Sequence, residues 1–147
     1  MVCFQPRWSA RPAEWLDHSN PRRILIVDDN REAADLLASL MSTAGHDVRV
    51  AYDGHQALGI MTAFTPEVAL LDLGMPGLTG FEVAKQIRNE SWGESTCLVA
   101  VTGWGQQRDR QRAAEAGFDA HLVKPVRIRD LRQALEIRRT SGARVSC

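Results

Sequence analysis

The sequence predicts an α/β fold with a doubly wound, five-stranded parallel sheet, and three observations carry that expectation. Short apolar runs rich in β-branched residues recur along the chain: ILIV at 24–27, VALL at 68–71 and CLVAV at 97–101. Runs of that length, bounded by polar or turn residues, mark strands buried on both faces. Segments with apolar residues at helical spacing alternate with them, and no tight hairpin signal joins any two strands. Parallel strands need crossovers of this length, and helices supply them.

The elements follow in order. Order begins at Arg23, and ILIV is the first strand. Asn30 can cap the next helix, where Leu36, Leu37, Leu40 and Met41 recur at helical spacing and Gly45 can close the end in a left-handed conformation. Val48, Val50 and Tyr52 alternate with polar residues, the pattern of a strand at a sheet edge. Asp53-Gly54 makes a turn before a short helix over about 55–64, and Pro66 ends it. VALL is the next strand, and GMPGLTG at 74–80 is a loop. The helix after it puts Phe81, Val83, Ala84 and Ile87 on one side. CLVAV is followed by a polar helix from about Gln106 to Ala116 that stops at Gly117. A short strand covers 119–123, and a last helix covers about 127–138 with Ile128, Leu131, Leu135 and Ile137 facing inwards.

Residues 1–22 carry Pro6, Pro12 and Pro21 and no regular period, so they read as an irregular leader or linker. Residues 140–147 read as a flexible tail, which leaves 23–139 as the domain. The 147 residues carry a formal net charge of zero and 44% hydrophobic side chains, enough for one ordinary core without metals or disulfides. Neutral balance predicts no general attraction to nucleic acid or to an anionic membrane. No apolar run is long enough to span a bilayer, and the first twenty residues lack a signal-peptide pattern. Cys3, Cys97 and Cys147 are far apart and odd in number, which suggests free thiols and a cytoplasmic protein.

The chemistry lies at the carboxyl ends of the strands. Asp28 and Asp29 follow ILIV, Asp72 follows VALL, Thr102 follows CLVAV, and Lys124 follows the last strand. Ligands of open α/β sheets bind outside these ends, near the point where strand order reverses. Each residue alone has an ordinary explanation: Asp28 and Asp29 as helix caps, Asp72 as a loop opener, Thr102 as a strand residue, Lys124 as a surface cation. Their convergence on one rim points to a site. Three crowded carboxylates call for a cation, and oxygen ligands favour a hard one, commonly Mg²⁺. A carboxylate can attack phosphorus and become an aspartyl phosphate. A cation, an ammonium and a hydroxyl can then stabilise the charge on the equatorial oxygens.

The strings ILIVDDN, LLDLGMPGLTGFEVA, AVTGWG and DAHLVKPV resemble the response-regulator receiver family of two-component phosphotransfer signalling, and VTGWGQ resembles receivers of hybrid sensor kinases. The resemblance runs from about Arg23 to Arg139. It implies a flavodoxin-like (βα)5 fold with strand order 2-1-3-4-5. It implies that Asp72 is the phosphoacceptor and that Asp28, Asp29, Asp72 and the backbone carbonyl of Gly74 hold Mg²⁺. Thr102 and Lys124 match the hydroxyl and ammonium that contact the phosphoryl group. The Lys124-Pro125 bond matches one that is usually cis in the family. The implied partner is a histidine kinase or a histidine phosphotransfer protein; the few residues after the last predicted helix lead to the expectation of output through protein contacts.

One position departs from the commonest pattern. The switch residue three places before the lysine is often Tyr or Phe, and here it is His121. Thr102 and His121 are therefore the expected switch pair, with space beside Gly103 for the ring to turn inwards and Trp104 in the moving loop. His18, His46 and His55 have no metal-ligand spacing and read as solvated. Two other functions use the same residue types: a phosphatase of the haloacid dehalogenase type and a phosphorylation-independent binding module. The former places its nucleophile in a DxD pattern after the first strand, where this chain has Asp28-Asp29-Asn30.

Overall fold

The structure is a computed structural model that describes residues 21–103 and 107–136, and side chains are described for these except 107–109. Five strands alternate with five helices: β1 (Arg23–Val27), α1 (Arg31–Thr43), β2 (Asp47–Ala51), α2 (Gly54–Phe64), β3 (Val68–Asp72), α3 (Gly80–Arg88), β4 (Cys97–Thr102), α4 (Gln107–Ala116), β5 (Ala120–Val123) and α5 (Ile128–Leu135). All strand pairs are parallel, in the order β2-β1-β3-β4-β5. The chain steps from β1 outwards to β2, then returns past β1 to β3. That reversal leaves a crevice at the carboxyl ends of β1 and β3.

The continuous apolar runs are explained by two cores, one on each face of the sheet. Successive strand side chains point to opposite faces. Leu25, Val27, Ala69, Leu71, Leu98 and Ala100 pack with α2, α3 and α4. Ile24, Ile26, Val68, Leu70, Val99 and Val101 pack with α1 and α5. The helices differ in their grip. α3 buries Phe81, Val83 and Ile87, and α5 buries Leu131 and Leu135. α4 buries Ala113 and Ala116, and its Arg112 lies 4.1 Å over the Phe81 ring.

Helix ends follow from the local sequence. Asn30 caps α1 through Ala33 N–H, and Gly45 takes φ 97° just past the helix. Thr79 and Glu82 form a reciprocal capping box on α3. Four expectations need correction. Tyr52 lies beyond β2, because its hydroxyl is drawn 2.6 Å from Asp35 on α1 and its ring lies under Arg31. Gly54 begins α2, because Asp53 acts as the cap by accepting from Gln56 N–H. Leu36 is 65% exposed, since α1 shows the sheet only the stripe that holds Ala34 and Met41. His46 is half-buried, and its Nδ1 accepts the Arg22 N–H at 3.0 Å. The last helix ends at Leu135, and Ile137 lies outside the described residues, as do residues 1–20, Trp104 and the tail.

A 3-10 helix at Ser91–Ser95, absent from the sequence reading, carries part of an arginine-centred network. Arg88 donates to the carbonyls of Gly93, Thr96 and Gly117 and to the Asp119 carboxylate at 2.8 Å. The Asp119 side chain is fully buried and also accepts Leu98 N–H at 2.9 Å. Removing one partner of a buried ion pair strands the other charge. Arg88→Met is therefore expected to cost about 3–5 kcal/mol, read as a lower midpoint in urea. An unchanged midpoint would show that the pair does not hold β4 to β5.

Candidate functional site

Strand register builds the site. Val27 pairs with Leu71, so Asp28 leaves β1 beside Asp72, the last residue of β3. Asp72 pairs with Val101, which puts Thr102 one step further on β4. Thr102 pairs with Val123, and Lys124 follows directly. Asp28 and Asp72 are buried, whereas Asp29 is exposed. One carboxylate oxygen from each of these three lies within 4.8 Å of the others.

Asp28 and Asp72 are each oriented. Asp28 Oδ1 accepts Asn30 N–H at 2.9 Å, and its Oδ2 lies 3.1 Å from Lys124 Nζ. Asp72 Oδ1 accepts Gly74 N–H at 3.0 Å, and its Oδ2 lies 3.3 Å from Lys124 Nζ. The capping alternative for Asp28 is thereby closed, because Asn30 caps α1. Asn30, read from sequence only as a cap, has a second role through its backbone; its place directly after Asp28-Asp29 was the available signal. The Lys124-Pro125 peptide bond is cis.

Burial pushes the Asp72 carboxyl above its ordinary range. Asp28 adds to that rise, while Gly74 N–H and Lys124 oppose it. Burial pulls the Lys124 ammonium down, but Asp72 and Asp28 outweigh it and hold the pKa above its ordinary value. The Asp72 rise has a stability consequence. The native state binds the proton more tightly than the unfolded chain does. The resulting stabilisation is complete below about pH 4 and is lost as pH rises through the raised native value. Metal-free wild type is expected to lose stability over that interval relative to Asp72→Asn. Urea denaturation in chelator at stepped pH measures the difference, and parallel pH profiles would refute it.

Thr102 Oγ1 lies 3.1 Å from His121 Nε2. The register explains this. His121 pairs with Ala100, so Thr102 and His121 share the α4 side of the sheet, two residues apart along the ladder. The expected inward turn of the ring thus starts from a side chain already joined to Thr102. Among the described residues, a Cβ at Gly103 would meet nothing within 4 Å. The donor set suits a hard cation: three carboxylates at one rim, two of them buried, with one lysine against them.

The family model for the response regulator receiver domain matches residues 24–136. The chain belongs to this family. Among relatives of this receiver, a 14.6 kDa protein of Leptolyngbya boryana is 35% identical over 70% of this chain and 79% of its own. The response regulator MprA of Mycolicibacterium vanbaalenii is 35% identical over 82% of this chain and 52% of its own. The receiver thus spans about half the length of MprA. In structure it is similar to the Vibrio cholerae chemotaxis protein CheY4, with a TM-score of 0.75 and 28% identity over 80% of this chain and 98% of that one. Receivers are signalling modules of two-component systems, and membership implies a histidine kinase as partner. Among the described residues, no helix is long and apolar enough to cross a membrane.

Proposed function

We propose that this receiver takes a phosphoryl group onto Asp72 from a histidine kinase or a histidine phosphotransfer protein, with Mg²⁺ as cofactor. The observation that supports this most is Asp72 itself: a buried carboxylate with a lysine 3.3 Å away, inside a cluster of three carboxylates. An Asp72 oxygen forms the new bond to phosphorus as the bond to the donor imidazole nitrogen breaks, and that nitrogen keeps the electron pair. No base is needed, because the attacking carboxylate carries no proton. Asp28, Asp29, Asp72 and the Gly74 carbonyl would hold Mg²⁺, which when bound supplies neutralisation of charge on the phosphoryl oxygens. Lys124 and the Thr102 hydroxyl donate to those oxygens.

Thr102 and His121 are the proposed switch. The Thr102 hydroxyl has one proton. In the tautomer whose Nε2 is an acceptor, a hydroxyl that donates to a phosphoryl oxygen cannot also donate to His121. Phosphorylation then has a direct route to the His121 ring and the α4 side of the sheet. On this reading the domain is 23–139 and cytoplasmic, catalyses only its own phosphorylation and dephosphorylation, and signals through protein contacts rather than nucleic acid or membrane.

The test is mass spectrometry after incubation with a small phosphodonor. A phosphoryl adduct on Asp72 that requires Mg²⁺ is expected. Repeated turnover of a phosphomonoester would restore the phosphatase reading. Mg²⁺ should also stabilise the fold by relieving repulsion, by about 2.7 kcal/mol at 100 times its dissociation constant. Asp29→Ala is expected to remove most of that gain, measured as the Mg²⁺-dependent shift in Tm. An undiminished shift would take Asp29 out of the ligand set.

A further inference from the structure

The chain's glycines differ in what they make room for. At Gly59 an added Cβ would meet nothing within 4 Å, and at Gly77 the backbone itself, with φ 73°, favours glycine. Gly80 is of another kind. It is the first residue of α3, it is buried, and its φ lies outside the left-handed region. Alanine would therefore suit its backbone, and alanine is the better helix former. Yet a Cβ there would lie 2.6 Å from the Asp72 carbonyl oxygen, 3.2 Å from the Asp72 carbonyl carbon and 3.1 Å from Leu73 Cδ2. Two of these are main-chain atoms, which cannot swing aside as the end of a side chain can. The first turn of α3 thus rests directly on the backbone of Asp72.

We propose that Gly80 is a positioning residue for phosphoryl transfer: by having no side chain, it lets α3 seat against the Asp72 peptide and so fixes where the Asp72 carboxylate meets Lys124 and Gly74. The inference rests on Asp72 being the acceptor. The geometry at stake is fine. Asp72 Oδ1 accepts Gly74 N–H at 3.0 Å, and Oδ2 lies 3.3 Å from Lys124 Nζ. A methyl group at Gly80 has to displace the Asp72 carbonyl, and the side chain moves with its main chain. Gly54 offers the matching control. It begins α2, and a Cβ there would lie 2.8 Å from the carbonyl oxygen of Leu78, in the same loop but away from Asp72. Phe81, Val83, Ala84 and Ile87 are buried in the core, so α3 has little freedom to back away.

The experiment compares wild type, Gly80→Ala, Gly54→Ala and Gly59→Ala, each well below its own Tm, with folding checked by circular dichroism. The rate of Mg²⁺-dependent phosphorylation by a small phosphodonor is measured, together with the affinity for beryllofluoride and the amide resonance of Gly74. Gly80→Ala is expected to lose phosphorylation rate on the order of 10- to 100-fold, the scale of a small misplacement of reacting groups. Its Gly74 resonance should shift as the bond to Asp72 is altered. Gly54→Ala should lower Tm with a smaller loss of rate, and Gly59→Ala should keep the wild-type rate. If Gly80→Ala is unfolded in dilute buffer, the assay is repeated in trimethylamine N-oxide, which favours the compact state. Wild-type rates and an unmoved Gly74 resonance in folded Gly80→Ala would overturn the proposal. So would loss of fold that the osmolyte does not reverse, since that assigns Gly80 to the fold alone. Absence of any adduct on wild-type Asp72 would instead overturn the acceptor assignment.

Discussion

Asp72→Asn is expected to take up no phosphoryl group and to be more stable than wild type when Mg²⁺ is absent. Both effects have one cause. The carboxylate proposed to attack phosphorus is buried beside a second carboxylate, Asp28, and its raised pKa reports the cost of charge there. An amide keeps the shape, still accepts Gly74 N–H through its oxygen, and carries no charge. The gain in metal-free stability should appear as pH rises through the raised Asp72 value and persist above it. Mass spectrometry reads the first effect, and urea denaturation in chelator reads the second. Equal labelling of the two proteins would move the acceptor elsewhere. Lower stability in the variant would mean that the Lys124 contact to Asp72 outweighs the desolvation and repulsion.

Lys124→Ala carries the second large effect. Its ammonium is the cation that touches both Asp28 and Asp72, at 3.1 and 3.3 Å. In the proposed transfer it is the donor aimed at charge developing on the phosphoryl oxygens. Loss of one such preorganised donor costs about 10²–10³ in rate. The initial rate with a small phosphodonor at saturating Mg²⁺ is expected to fall by that factor. Lys124→Arg should rescue little, because a planar guanidinium places its donors in a fork rather than at a compact point. A wild-type rate in Lys124→Ala would leave the lysine as a fold contact only. Metal-free stability should fall as well, since two carboxylates lose their shared cation.

The fold was readable because the pattern that encodes it is local. ILIV, VALL and CLVAV became β1, β3 and β4, with cores on both faces. The positions of Asp28, Asp72, Thr102 and Lys124 followed, since each ends or directly follows a strand. What sequence did not show depends on partners distant in the chain. Tyr52 was read as a strand residue because alternation cannot reveal Asp35 on α1. The segment around Trp92 has no period of its own; its 3-10 turn is held where Arg88 gathers the carbonyls of Gly93, Thr96 and Gly117. Gly80 sat in a string read only as a loop, because glycine chosen for space leaves the same letter as glycine chosen for a turn. His121 was legible as a position, but its contact with Thr102 required the β4–β5 register.

The thin grip of α4 bears on how a signal can leave the site. Its described side chains bury two alanine methyl groups, where α3 and α5 bury Phe81, Ile87, Leu131 and Leu135. A buried large apolar side chain holds with roughly 1.5–3 kcal/mol and a methylene with about 0.8. Among the described side chains, those of the helix that follows Thr102 in the chain therefore contribute the least burial. A proposed change in the hydrogen bonding of Thr102 would then meet its weakest resistance in that helix, with the more deeply seated helices as a frame.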